Sequence, residues 1–227
     1  MRMMVVFEKG APLRFIGHLD LMRTMQRALR RTGLPIKYSN GFNPHIRLSF
    51  AVPLSVGVIG LRELMEVPVE DSVTADEFMQ SMNAVLPECL QIRYCKAVED
   101  TFPALMSLVT GADYRITFAK NDEGKKAAHR FHDFMNLSEY VTNRRTKSGE
   151  NPCDIRPFVI AGKCEVGEDS YTIELHTAAL KNGMLKPALW FDSLCEYAGC
   201  AEVPHLIYRT AILAKVENGS LIPMEEL

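Results

Sequence analysis

The segment from Arg14 to Arg47 concentrates cationic side chains that could bind phosphate. It holds seven basic residues and one acid, Asp20, so its net charge is +6. Because the whole chain carries −2, the remainder must carry −8. Guanidinium groups suit phosphate because each presents a planar fork of N–H donors. The near-neutral total excludes a uniformly basic protein but still permits a local anion-binding surface. The seven basic residues are Arg14, Arg23, Arg27, Arg30, Arg31, Lys37 and Arg47.

Four of these arginines share one face of a helix predicted over 18–31. At about 100° per residue they fall within an arc of about 100°, and apolar residues occupy the opposite side. A solvated face would explain Arg30 and Arg31, because basic residues are favoured near a helix C-terminus. It explains Arg23 and Arg27 less well, because Asp20 is the only acid near them. Two interpretations of this face therefore remain: it binds phosphate or nucleic acid, or it is simply exposed to solvent.

A turn at 39–47 is the second candidate. Asn40 precedes a glycine, which permits a left-handed backbone, and Asn43 precedes a proline, which restricts it. His45 and Arg47 then point to the same side of an extended segment, by its period of two. Such a turn could hold a phosphate through backbone N–H groups and cations. The alternative is a structural hairpin turn with Arg47 facing solvent.

Two histidines, His18 and His45, could serve as the base and acid of a metal-independent ribonuclease if they faced one cavity. His18 falls on the apolar side of the helix, which favours a core or capping role. No feature of the sequence places the two rings together. His129 and His132 share a later helix with Asp133, but without the spacing of a metal motif. We therefore predict no metal site.

The third basic feature is an arm over 139–147 that turns near residue 148. A basic hairpin is a common device for reaching a nucleic-acid backbone. The alternative is a mobile, solvated loop. We expect Asp154 and Arg156 to form a structural ion pair that supports the arm. The cations of this region that could contact a nucleic acid are Arg144, Arg145, Lys147 and Arg156.

The elements that must position these residues fall into two similar halves. The first half shows a strand, a helix, two extended runs, a helix capped by Thr74 and a last strand, at 3–8, 18–31, 46–55, 61–69, 74–85 and 90–98. This order is the β-α-β-β-α-β unit of ferredoxin-like folds. The second half repeats the order, at 113–119, 124–135, 154–164, 170–177, 187–198 and 205–216.

We therefore predict an α+β protein of two tandem ferredoxin-like (βαββαβ) domains. They would cover 1–100 and 111–227, with the boundary near residues 99–112. The second domain would carry an extra strand or hairpin arm. At 227 residues and 47% hydrophobic composition, the chain can bury its core without disulfides or metals.

The composition and the missing motifs narrow the class of protein further. No run approaches the roughly 20 apolar residues of a membrane span, and the N-terminus lacks a signal-peptide apolar region. The six cysteines form no Cys-x-x-Cys pair and no CxxxCxxC cradle of a radical SAM cluster. Nucleotide-binding glycine loops and the GxSxG motif are also absent from the sequence. These features predict a cytoplasmic protein that is not itself a radical SAM enzyme.

Several strings carry a family resemblance that spans almost the whole chain. In the first half they are RFIGHLDLMR at 14–23, RRTGLP at 30–35, YSNGFNPH at 38–45 and LSFA at 48–51. In the second half they are RRTKSG at 144–149, DIRP at 154–157 and YRT at 208–210. They resemble the radical-SAM-linked protein family, a bacterial domain of unknown function fused to, or encoded beside, radical SAM proteins. The architecture is also similar to the two-ferredoxin-domain RNA-processing proteins of CRISPR systems.

The resemblance implies a radical SAM protein as partner, with the iron–sulfur cluster and S-adenosylmethionine in that partner and no cofactor in this chain. We expect a non-catalytic accessory module that binds RNA, either tRNA or ribosomal, or another phosphate-bearing substrate. One alternative is the ribonuclease above, and another is a subunit that docks its basic stripe on an acidic face of the partner. The expected phosphate contacts are Arg14, Arg23, Arg27, Arg30, Arg31, Asn40, Asn43, His45, Arg47, Arg144, Arg145, Lys147 and Arg156.

Overall fold

The computed structural model describes residues 1–146, 149–181 and 183–227. They form two compact units with an α+β fold: the first combines Met1–Val109 with Ala211–Leu227, and the second is Thr110–Thr210. The first break therefore falls after Val109, within the range 99–112. The C-terminal segment belongs to the first unit, whereas the sequence pattern had placed it in the second.

The first unit begins with a sheet and two helices. Its elements are β1 (Arg2–Lys9), α1 (His18–Thr32), β2 (Ser49–Phe50), β3 (Val58–Pro68), α2 (Ala75–Val85), β4 (Leu90–Val98) and α3 (Leu105–Leu108). β1 pairs antiparallel with both β3 and β4, and β2 pairs antiparallel with β3. The strand order is thus β4-β1-β3 with the short β2 on β3.

β1 is apolar on both of its faces because each face is covered. Met3, Val5 and Phe7 pack in the cluster that receives the apolar sides of α1 and α2. Met4 and Val6 pack in a second cluster, with residues of α3 and of the C-terminal segment. A strand buried on both faces becomes a continuous apolar run rather than an alternating one.

The ends of α1 and α2 follow from local chemistry. Gly33, at φ +71°, ends α1 in the left-handed conformation that glycine adopts without strain. The hydroxyl of Thr74 accepts the backbone N–H of Glu77 at 3.2 Å, which confirms the predicted cap of α2. Caps of this kind contribute about 1 kcal/mol.

The extended run predicted at 46–55 is mostly irregular. Only Ser49–Phe50 pairs as a strand, and the chain before it forms a loop with isolated bridges between Ile36 and Val69 and between Tyr38 and Ile46. Prolines at 44 and 53 lack the N–H that a ladder position needs, so they interrupt regular pairing.

The second unit repeats the sheet-and-helix arrangement and adds a hairpin. Its elements are β5 (Val109–Ala119), α4 (Asp122–Met135), β6 (Val141–Thr146), β7 (Gly149–Asp154), β8 (Val159–Val166), β9 (Ser170–Ala178), α5 (Pro187–Tyr197) and β10 (His205–Lys215). The order within this unit is β10-β5-β9-β8, where β9 pairs antiparallel with β5 and β8. β6 and β7 form the separate two-stranded arm.

The helices of the second unit pack through aromatic side chains. Phe131 and Phe134 of α4 meet Trp190 of α5, with ring centroids 6.2 and 5.5 Å from the indole. Asn121 caps α4 by accepting the backbone N–H of Gly124 at 2.8 Å. A side chain at Gly124 would collide with the carbonyl oxygen of Ala119, so this position requires glycine.

β10 ends in the first unit, where β11 (Leu221–Pro223) pairs antiparallel with its last residues. Among the described residues, no helix is both long and apolar enough to cross a membrane.

Candidate nucleic-acid interface

The cationic face of α1 is exposed along its length. Leu21, Met25, Ala28 and Leu29 are buried on the opposite side, so packing fixes which way the arginines point. Arg23 forms an exposed ion pair with Asp20 at 3.1 Å. The other three have no hydrogen bond or ion pair to any residue that the structure describes, so their donors are available to a ligand. These three are Arg27, Arg30 and Arg31.

The loop over 37–47 is a folded turn. The Ser39 N–H donates to the His45 carbonyl at 2.9 Å, and the Ser39 hydroxyl accepts the backbone N–H of His45 at 3.0 Å. That hydroxyl also lies 2.8 Å from His45 Nδ1, so Nε2 is the ring nitrogen left for another partner. At the exposed tip, Gly41 has φ +120°, a conformation that favours glycine. Asn40 and Asn43 are exposed on either side of it.

A cavity of about 460 Å³ lies between α1 and this loop. α1 contributes Met22 and Gln26, and the loop contributes His45 and Arg47. The Gln26 side chain donates to the Ile46 carbonyl at 3.3 Å and so ties the helix to the loop. Arg23 and Arg30, three residues before and four after Gln26, are its neighbours on the helix surface.

The floor of the cavity holds a buried ion pair. Arg2 Nη1 lies 2.5 Å from Glu66 Oε2, with the two side chains only 13% and 11% exposed. The Ser49 hydroxyl donates to Glu66 Oε1 at 2.8 Å. Burying two charges costs desolvation energy that their attraction only partly offsets. Arg2, Ser49 and Glu66 thus place a hydrogen-bonded charged cluster in the lining of the cavity.

Arg14 and His18 have structural neighbours. The Arg14 guanidinium donates to the Ala11 carbonyl at 2.9 Å and lies over the Phe15 ring, 4.4 Å from its centroid. His18 is the first residue of α1, and its ring meets Phe50 edge-on at 5.3 Å. His45 lines the cavity and His18 does not. The two histidines thus have different surroundings in the first unit.

Exposed aromatic side chains that were not predicted as site residues accompany the cations. Phe42 projects from the tip of the loop, and Phe15 and Tyr38 are also largely exposed. The available signal was an aromatic residue between Gly41 and Asn43, because a turn offers no core in which to bury a ring. Aromatic faces beside cations are typical of single-stranded nucleic-acid binding.

The cations of the second unit have varied surroundings. Arg144 is half-buried in β6, opposite Asn151. The side chain of Arg145 and the whole of Lys147 lie outside the described residues. The Arg156 guanidinium donates to the carbonyls of Leu137 at 3.0 Å and Val159 at 2.7 Å. These bonds occupy Arg156 in holding its own loop.

Asp154 supports the arm in a different way from the predicted ion pair with Arg156. Its carboxylate accepts the backbone N–H groups of Tyr140 and Arg156, each at 3.0 Å. Both donors are main-chain groups, so the support for the hairpin does not depend on the Arg156 charge.

The second unit also contains a polar pair that was not among the predicted site residues. Asp113 of β5 and His176 of β9 stand directly opposite each other, with Oδ1 2.6 Å from Nδ1. They line a cavity of about 380 Å³. The two residues are far apart in sequence, so only the register of the strands reveals the pair.

Three of the thiols are poorly suited to nucleophilic chemistry or metal binding. All six cysteines are free. Burial raises the pKa of Cys95 and of Cys195 to about 12, and that of Cys164 to about 11. Such thiols stay protonated near neutral pH, whereas nucleophiles and metal ligands need the thiolate. Within the described ranges, no cluster of three or more His, Cys, Asp or Glu side chains could hold a metal ion.

The geometry thus defines an α+β protein with a cationic helix face beside a polar cavity. A family model described as "uncharacterized protein conserved in bacteria (DUF2344)" matches residues 2–187. The match covers most of the chain, so the chain belongs to this family, and the expectation of a bacterial domain of unknown function is confirmed. The link to radical SAM proteins stays a prediction. No curated protein matches the chain.

Proposed function

We propose that this protein is a non-catalytic RNA-binding module and that α1 and the 37–47 loop hold the RNA. The observation that carries the proposal is the exposed set of Arg27, Arg30 and Arg31, which have no partner among the described residues and lie along the helix that walls the cavity. Their donors can form charge-assisted bonds to phosphate oxygens, which are stronger than neutral ones.

The fold does not need these arginines. Exposed ion pairs contribute about 0–1 kcal/mol at most, and these three side chains form none with the described residues. Like charges within a helix turn of one another also repel by a few tenths of a kcal/mol. A bound polyanion would remove that repulsion, which a solvated face leaves in place.

The proposal also includes a ferredoxin-like fold for each unit and a role beside a radical SAM enzyme. The strand orders β4-β1-β3-β2 and β10-β5-β9-β8 support a ferredoxin-like fold for each unit. The strings resembling the radical-SAM-linked family support a role beside a radical SAM enzyme, which would supply the iron–sulfur cluster and S-adenosylmethionine. In that role the module presents tRNA, ribosomal RNA or another phosphate-bearing substrate to the enzyme. The different neighbours of His18 and His45 give no support to the ribonuclease alternative.

The test is RNA affinity as a function of salt. Contact with about four phosphates of a single strand gives a slope of about −3 in log affinity against log salt, so raising salt from about 50 to about 200 mM weakens binding about 50-fold. Fluorescence anisotropy with a labelled single-stranded RNA measures this. An affinity that is flat over this range would contradict the proposal.

A matched pair of charge-reversal variants locates the surface. The triple variant Arg27→Glu, Arg30→Glu, Arg31→Glu should lose most of the affinity and most of the salt slope. The control Lys125→Glu, Lys181→Glu, Lys215→Glu changes the net charge equally at exposed positions elsewhere and should retain binding. Equal losses in both variants would show a general charge effect and overturn the assignment to α1.

A further inference from the structure

We propose that the cavity between α1 and the 37–47 loop takes one guanine nucleotide. The inference rests on the proposed function, because the nucleotide would be one unit of the bound RNA. Three parts of the cavity match three parts of a nucleotide. The cationic groups at one side match the phosphate, the apolar walls match the faces of the base, and the buried carboxylate matches the hydrogen-bonding edge of the base.

The cationic side suits the phosphate. His45 and Arg47 both line the cavity and are separated by one residue, and both side chains are exposed. Ser39 fixes the His45 ring through Nδ1. His45 Nε2 and the Arg47 guanidinium have no partner among the described residues. An oriented imidazole beside a free guanidinium provides donors for phosphate oxygens.

The walls suit a planar base. Met22 from α1 and Ile46, Leu48 and Pro68 from the segments around it give the lining its apolar surface. Flipped or unstacked bases are commonly held between apolar or aromatic side chains while their edges form hydrogen bonds. A volume of about 460 Å³ lies within the usual range for small-ligand sites.

The Glu66 carboxylate at the floor of the cavity would discriminate between bases through its free lone pairs. Each oxygen of the Glu66 carboxylate has two lone pairs, and Ser49 and Arg2 occupy one on each oxygen. The Leu105 N–H adds only a long contact of 3.5 Å to Oε2, which a stronger donor can displace. Guanine alone presents two adjacent N–H donors, on N1 and N2, to such a carboxylate. Adenine and cytosine present a single amino group on that edge, and uracil presents a single N–H.

The carboxylate is held in place before any ligand binds. Arg2 also donates to the Phe102 carbonyl, so its guanidinium bridges Glu66 and the main chain. A binding group fixed by such supporting bonds loses little entropy when its ligand arrives. In this proposal, the buried ion pair of the cavity floor holds the base-reading carboxylate in position.

The test is titration calorimetry of the full chain with GMP, AMP, CMP and UMP. GMP should bind at least tenfold more tightly than each of the others. Glu66→Gln should abolish the preference for GMP, because the amide nitrogen meets the guanine donors with donors of its own. Since that change also disturbs Arg2, Met22→Trp, which fills the cavity from α1, provides an independent variant and should abolish binding.

Arg47→Ala should weaken GMP binding at least tenfold and leave guanosine binding unchanged, because only GMP carries the phosphate. Lys125→Ala, in the second unit, is the control and should bind GMP normally. No preference for GMP in the wild type, or GMP affinity that is unchanged in both Met22→Trp and Arg47→Ala, would overturn this proposal. Salt-dependent RNA binding without GMP preference would overturn only the cavity assignment, whereas GMP binding without RNA binding would overturn only the RNA function.

Discussion

Under the proposed function, single exposed residues near α1 would decide whether the RNA is bound as more than a polyanion. Phe42 has a relative accessibility of 111%, which places the whole ring in solvent at the tip of the loop. Exposing a large apolar side chain forgoes about 1.5–3 kcal/mol of burial energy. Beside the cations of α1 and the loop, the exposed ring of Phe42 offers a face on which a base can stack.

Phe42→Ala should therefore weaken RNA binding by about 1–3 kcal/mol, which is roughly 5- to 150-fold, because the stacking surface is lost. Stability should change by less than about 0.5 kcal/mol, since the ring packs against nothing in the loop. Anisotropy titrations and denaturant unfolding measure the two effects. Phe42→Trp keeps an aromatic face and should bind RNA as the wild type does. A loss of affinity in the Trp variant equal to that in the Ala variant would contradict stacking.

At the scale of elements, local residue types determine where the helices begin and end, whereas tertiary contacts determine the conformation of the irregular segments. The residue types at the ends of α1 and α2 predicted both boundaries closely, because caps act within one turn. The loop over 37–47 is tied to α1 by contacts such as the hydrogen bond from Gln26 to the Ile46 carbonyl, which joins residues 20 positions apart. No local pattern encodes those contacts, so the cavity beside α1 was not predicted.

The start of α4 illustrates an element whose stability depends on pH. Glu123 accepts hydrogen bonds from Lys126 at 2.6 Å and from the backbone N–H of Ala201 at 2.6 Å. The Lys126 bond and then the Ala201 bond lower the pKa of Glu123 from 4.5. A lowered folded-state pKa gives stability that is present above the unfolded value and lost as pH falls through the folded value.

Glu123→Gln should lower the thermal midpoint of the second unit at about pH 7, and the difference from wild type should shrink below pH 4.5. Calorimetry from about pH 7 to about pH 3 measures the difference. Glu168→Gln, at an exposed turn of the same unit, is the control and should unfold at the wild-type midpoint throughout. A difference that stays constant down to pH 3 would show that the carboxylate charge is not responsible.

At the scale of the whole molecule, the net charge of −2 hides a local concentration of cations, and the order of the chain does not match the division into two units. The sequence locates +6 between residues 14 and 47, and the structure places four of those charges on one exposed helix face. The C-terminal segment returns to the first unit, where Ile212, Ala214 and Met224 join the cluster around Met4 and Leu64. A cut at residue 110 would therefore separate residues that share one core.

Met224→Ala should destabilise the first unit by about 2–5 kcal/mol, because the side chain is completely buried in that cluster. Hydrogen exchange of the β1 amides measures the effect and separates it from unfolding of the second unit. Met106→Ala removes the same atoms from an exposed position in α3 and should change exchange by less than about 0.5 kcal/mol. Unchanged β1 protection in Met224→Ala would show that the segment does not stabilise this core.

The sequence by itself predicted most of the order of helices and strands, the Thr74 cap of α2 and the concentration of cations on one helix face. These properties depend on residue type and on spacing within a few turns, so they can be read along the chain. Only the tertiary structure decided that His45, Arg47, Gln26 and Glu66 share one cavity, and that residues 211–227 complete the first unit. Those arrangements depend on packing between segments up to about two hundred residues apart, and no local pattern specifies which distant segment fills a given face.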